Sequence, residues 1–115
     1  MNDVNVELQY KDKIYKLAFN LNVMQAIQKK YGSIQAWGEI TDGQEGEPDV
    51  EAVIFAYTEM LNEGIDISNE ENGTDIKPFT AKQVGRMITE IGMANAVNKL
   101  NKTVIESTQS TEKNV

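Results

Sequence analysis

Residues 4–10 alternate apolar and polar without a break, so Val4, Val6, Leu8 and Tyr10 share one face and Asn5, Glu7 and Gln9 the other. A period of two is that of a half-buried strand. After the polar break Lys11-Asp12-Lys13, residues 14–19 resume strand composition with Tyr15, Leu17 and Phe19 on one face. The two runs predict a β-hairpin, although the break has neither Asn-Gly nor Asp-Gly to define its register. A lone hairpin is marginal in water, so its Val4, Val6 and Leu8 face must be covered by another element. That demand constrains the rest of the chain, and a helix over 49–63 is the leading candidate for the cover.

From Asn22 the period becomes helical. Met24, Ile27 and Tyr31 recur at helical spacing, and Val23 lies one turn before Ile27. Asn20 or Asn22 can cap the start, Lys29 and Lys30 suit the negative end, and Gly32 supplies a left-handed stop. Ser33 can cap a short second piece carrying Ile34, Trp37 and Ile40. Residues 41–47 read as a loop, and Pro48, Asp49 and Glu51 suit the first turn of a helix. Along 49–63, Val50, Val53, Ile54, Tyr57 and Leu61 form a stripe that Phe55, Ala56 and Met60 widen. So wide an apolar arc belongs at the centre of a core or between two partners. Asn62-Glu63-Gly64 is expected to end this helix, which leaves 65–78 as a long, polar, mobile loop.

Thr80 and Gln83 have capping-box spacing, and a helix follows with Val84, Met87, Ile88 and Ile91 inward. Gly92 is expected to bend it. Ala94, Val97, Leu100, Val104 and Ile105 carry the helical pattern to about residue 106, with 107–115 as a flexible C-terminal tail. The sum is a single globular domain over 1–106 of the α+β class: an N-terminal β-hairpin packed on a bundle of three or four helices.

At 115 residues the chain has the length of one ordinary domain. It contains no His and no Cys, which excludes disulfides, thiolate metal sites, Cys nucleophiles and the usual neutral-pH proton shuttle. No acid lies beside an apolar run that would raise its pKa, so no catalytic residue, metal or cofactor is expected. The acidic stretch does not make a calcium loop. With Gly73 in the sixth position, Ser68 stands first and Phe79 stands where the bidentate Glu is needed. Two sequons, at Asn72 and Asn101, carry no weight without a secretory leader, and the start of the chain shows no leader pattern. No apolar run approaches the roughly 20 residues of a membrane helix. The expectation is a soluble cytosolic protein with no membrane partner.

Charge is unevenly spread. Residues 41–79 hold eleven acids against one Lys, whereas 1–40 and 80–115 are each slightly basic, and the net charge is -7. That balance argues against a nucleic-acid partner, which needs clustered Lys and Arg. The acidic segment is either a solvated face or a surface that steers a basic partner.

Two further features bear on binding. Gly85, Thr89, Gly92 and Ala96 recur at helical spacing as a stripe of small residues. Such a stripe packs against the 49–63 helix or admits another subunit or a partner helix, the former giving no oligomer and the latter a homo-oligomer or complex. Met24, Met60, Met87 and Met93 are core filler or, if exposed, an adaptable apolar surface. The partner-binding expectation is a surface around Trp37, Met60, Met87 and Met93, with Gly85 and Ala96 allowing close approach to an extended or helical apolar segment.

The order of segments is similar to a known family. Residues 15–22 follow the hairpin, a helix ends at Lys30-Tyr31-Gly32-Ser33-Ile34 with Trp37-Gly38 beyond, and Glu47-Pro48-Asp49 precedes Met60-Leu61-Asn62-Glu63-Gly64. Phe79-Thr80-Ala81-Lys82-Gln83-Val84-Gly85-Arg86 then leads into the last helices. Over roughly residues 4–106 the chain resembles the small tail assembly chaperones of long-tailed phages and prophages of Gram-positive bacteria. The resemblance implies a non-catalytic protein of the host bacterial cytoplasm that binds the tape-measure protein, assists tail-tube protein in polymerising around it, and is absent from the finished particle. It transfers no binding residue. The alternatives are a structural tail or connector component retained in the particle, or a small regulatory or nucleic-acid-binding protein. A helix–turn–helix reader would need more bases on the helix after Thr80 than Lys82 and Arg86. The resemblance also implies a backward ribosomal slip giving a longer product. Glu112-Lys113-Asn114 can be encoded GAA-AAA-AAC, which contains the slippery heptamer A-AAA-AAC.

Overall fold

The alternating N-terminal run forms the first strand of a hairpin, and the regular elements after the hairpin are, among the described residues, helices. The computed structural model describes residues 6–42 and 46–113, with side chains to residue 107. In chain order these are β1 (Glu7–Tyr10), β2 (Lys13–Lys16), α1 (Leu21–Tyr31), α2 (Ile34–Thr41), α3 (Val50–Asn72), α4 (Ala81–Ile91) and α5 (Met93–Lys113). The class is α+β, with an antiparallel hairpin packed on five helices rather than three or four. The count differs because Gly92, at φ +94°, separates α4 from α5 where a bend was expected.

Leu8 lies opposite Tyr15 and Tyr10 opposite Lys13, so Lys11 and Asp12 alone form the loop. A two-residue hairpin loop needs positive φ, and Lys11 supplies it at +54° in place of the usual Gly or Asn. Val6, Leu8 and Leu17 are buried beneath the hairpin; Val4 lies outside the described residues. The Leu17 N–H donates to the Val6 carbonyl at 2.9 Å and prolongs the ladder.

The cover is α3, as the hairpin's apolar face required. The Ala18 N–H donates to the Met60 carbonyl of α3 at 3.1 Å. Gly64 makes this approach possible, because a Cβ there would collide with the Lys16 carbonyl oxygen. Gly64 therefore does not end the helix. It sits inside α3, buried, and α3 continues through Ile65 to Asn72, where Gly73 takes the left-handed conformation at φ +64°. The expected mobile loop over 65–78 is thus mostly helix. Its remainder is tied down by two asparagines two turns apart on one face of α3. Asn69 donates to the Ile76 carbonyl at 2.9 Å and accepts from the Ile76 N–H at 3.0 Å. Asn62 does the same for Phe79, at 2.9 and 2.8 Å. A side-chain amide matches a peptide group in donor and acceptor, so each Asn pairs with the backbone as a neighbouring strand would.

The other helices start where local chemistry places them. Asn20 caps α1 by accepting from the N–H groups of Asn22 and Val23, and its amide donates to Glu63 of α3 at 2.8 Å. Ser33 caps α2, Asp49 caps α3, and Thr80 and Gln83 close the full capping box on α4. The helical backbone of α5 reaches Lys113, so it takes in most of the segment expected as a tail from 107. Asn114 and the side chains of Glu112 and Lys113, where the ribosomal slip was expected, lie outside the described residues. No helix among the described residues is long and apolar enough to cross a membrane.

Candidate functional site

The residues expected to meet a partner do not form a surface. Trp37, Met60, Met87 and Ala96 are 2, 0, 1 and 0 % exposed. The Trp37 indole N–H donates to the Ala52 carbonyl at 3.1 Å, which fixes the ring inside the core against α3. Met93 is half-buried against the core, and Gly85 is half-buried with Ile54 of α3 in ordinary contact distance of any Cβ it might carry. Trp37, Met60 and Ala96 are therefore corrected to interior packing, Gly85 and Met93 are half-buried, and Met87, though 1 % exposed, reaches a cleft beside the hairpin turn. The small-residue stripe also fails as one face, because the break at Gly92 puts Gly85 and Ala96 on different helices. Apolar periodicity marks what is buried, and it cannot say whether the covering surface belongs to the same chain.

A different site is assembled where the hairpin turn meets α4. An open cleft of about 440 Å³ lies there, large enough for one or two bulky side chains. Its apolar walls are Tyr10, Tyr15, Phe79 and Met87. The strand register puts Tyr10, Lys13 and Tyr15 on one hairpin face, since Leu8 pairs with Tyr15 and Tyr10 with Lys13. Phe79, gripped by Asn62, stands edge-on to Tyr15 with ring centres 5.3 Å apart and planes at 85°. That arrangement suits two aromatic quadrupoles. Gln83 and Met87, one turn apart on α4, close the far side, and the Gln83 side chain is committed to the capping box.

The rim is cationic. Lys11, Lys13 and Arg86 surround the cleft against one carboxylate, Asp12. Lys11 sits 5.3 Å from the Tyr10 ring centre. The ion pairs among the described residues are Lys30 with Glu51 and Lys102 with Glu106, each at 3.9 Å, so these three cations, like most others, are in none. On an acidic chain this is a local excess of positive charge beside apolar walls.

The perturbed groups lie elsewhere. Burial pushes the Tyr57 phenol well above its ordinary pKa. Burial, then the carboxylates of Glu51 and Asp49, push up that of Tyr31. Both phenols therefore keep their protons near neutral pH and serve packing rather than proton transfer. No group of three or more acidic side chains able to hold a metal ion occurs among the described residues. The arrangement in the cleft can bind an apolar group and an anion together.

No protein-family model, curated protein or solved structure matches this chain.

The cleft was not visible in the sequence. Lys11, Asp12 and Lys13 read only as a turn, Tyr10 and Tyr15 as the end of a core face, and Phe79 as the residue before a cap. One signal was available: two aromatics toward the turn end of the hairpin extend its apolar face beyond Val6 and Leu8.

Proposed function

We propose that this chain is a non-catalytic phage tail assembly chaperone that binds the tape-measure protein and assists tail-tube polymerisation in the host bacterial cytoplasm. The observation that carries the binding half of this reading is the open cleft, with walls of Tyr10, Tyr15, Phe79 and Met87. Grooves of this kind take side chains presented along a helix or an extended segment. The choice of the tape-measure protein rests on the resemblance of the segments quoted above. A longer product arising at codons 112–114 belongs to the same reading, and an AAG codon at Lys113 would exclude it at that site.

Co-expression with the tape-measure protein encoded nearby is the direct test. The tape-measure protein should become soluble and copurify with the chain, and mass spectrometry of finished particles should not find the chain. A tape-measure protein equally insoluble with and without it would sink the assembly role. Recovery of the chain in particles would replace the chaperone by a structural tail or connector component.

A further inference from the structure

We infer that the cleft between the hairpin turn and α4 docks an acidic polypeptide segment, one in which a large apolar side chain is flanked by carboxylates. This rests on the reading of the cleft as a polypeptide dock and is independent of the tail-assembly role. The walls specify the apolar part. Tyr10, Tyr15, Phe79 and Met87 bound a volume of about 440 Å³, and Phe79 is held in place by both hydrogen bonds to Asn62 before any ligand arrives. A wall ordered in advance loses little freedom on binding. The rim specifies the flanks. Lys11, Lys13 and Arg86 line the cleft against one acid, Asp12, and, like most cations among the described residues, they are in no ion pair. Cations left unpaired on a chain of net charge -7 complement carboxylates supplied from outside.

Aromatic rings beside cations also stack nucleic-acid bases. A polyanion long enough to run beyond the cleft would meet the repulsion of a chain of net charge -7. A short acidic segment meets the positive cleft alone.

The probes are three short fluorescein-labelled peptides sharing a central Phe and Leu, flanked by Glu in one, Gln in the second and Lys in the third, with an oligothymidylate of similar length. Fluorescence anisotropy at low ionic strength should show the Glu peptide binding most tightly. Added salt should weaken it selectively. The double variant Lys13→Glu/Arg86→Glu should reduce its affinity about tenfold. Lys102→Glu, on α5 away from the cleft, should leave it unchanged. Should the double reversal disturb the far-UV circular dichroism, Lys13→Gln/Arg86→Gln should lower affinity in the same direction. Equal binding of the Glu and Gln peptides overturns the carboxylate preference but leaves a polypeptide dock. Binding of no peptide overturns both. Tighter binding of the oligothymidylate, or a Glu-peptide affinity indifferent to both double variants, overturns the proposal.

Discussion

Along α3, residues 50–65 are held by burial and residues 66–72 by polar contacts. The first stretch supplies Ala52, Val53, Ala56, Tyr57, Met60, Leu61, Gly64 and Ile65 to the interior, and other elements contact it from several sides. The second stretch is half-buried or exposed and has its main tertiary tie at Asn69, which grips Ile76 and Thr74. Their ends differ electrostatically as well. Asp49 and Glu51 complement the positive start of the helix, while Glu70 and Glu71 stand in its last turn, where the dipole is negative. Burial can tolerate a poor helix former such as Gly64 because packing sets the conformation there. The exposed stretch, with poor helix formers at Asp66, Ser68, Asn69 and Asn72, relies on the contacts of Asn69 and on its cap at Gly73.

The largest expected effect strikes the buried stretch. In an open helix, Gly→Ala stabilises by about 1 kcal/mol. At Gly64 the new methyl would meet the Lys16 carbonyl, so Gly64→Ala should instead destabilise by about 3 kcal/mol through displaced backbone. Urea unfolding measures it. A variant as stable as the parent would show that the hairpin does not press on α3 there, and the contrast between the two stretches would collapse.

The two asparagines sharpen the contrast directly. Asn62 holds Phe79 through two part-buried hydrogen bonds, and Asn69 holds the preceding segment through three exposed ones. Asn62→Ala should cost about 2 kcal/mol and weaken binding at the cleft, because Phe79 loses its clamp. Asn69→Ala should cost less than about 1 kcal/mol despite breaking more bonds, since water replaces the partners. Equal losses would mean that exposure does not govern this helix.

Tyr57 tests the buried stretch from the other side. Its hydroxyl is enclosed without a hydrogen-bond partner among the described residues. Tyr57→Phe should therefore stabilise by about 1 kcal/mol at neutral pH, read as a shift in the urea midpoint. Burial raises the native phenol's pKa, whereas the unfolded phenol titrates near 10. Above about pH 10 the native state thus holds more protons than the unfolded state, and stability falls as pH rises. The alkaline decline should be shallower in Tyr57→Phe, and an unchanged slope would place the proton loss on other groups.

The smallest effect is at the exposed end. Glu71→Lys removes an acid from the negative end of α3 and should raise Tm by about 1–2 °C at low salt, fading as salt is added. Glu51→Lys, at the positive end, should lower Tm and also lose the contact with Lys30 at 3.9 Å. The same sign at both ends would remove the dipole from the explanation.

How much was legible follows from how far each cause reaches along the chain. Asn20, Ser33, Asp49 and the Thr80–Gln83 box act on N–H groups two or three residues away, so the starts of α2 and α4 were read directly. That of α1 was read to the choice between Asn20 and Asn22, and that of α3 to within a residue or two, with Asp49 as cap rather than Pro48 in the first turn. The left-handed stop at Gly32 is equally local. Gly64 was misread because the sequence shows a missing side chain without showing why it is missing. In Gly73 the vacancy serves a left-handed turn; in Gly64 it makes room for a strand. For Met60 and Met87 the core-filler alternative holds and the exposed-surface one does not, and Trp37 is likewise buried, since a stripe cannot name the surface that covers it.

The sequence by itself determined the hairpin, the helix starts and the α+β class, because alternation, helical period and capping are interactions within a few residues. Only the tertiary structure decided that α3 runs past Gly64, that Trp37 and Met60 are interior, and that Tyr10, Tyr15 and Phe79 face Arg86 across a cleft. Those outcomes depend on residues far apart in the chain, such as Lys16 with Gly64 and Asn62 with Phe79. Such pairs meet only once the hairpin has docked on α3, and local periodicity carries no record of where that docking occurs.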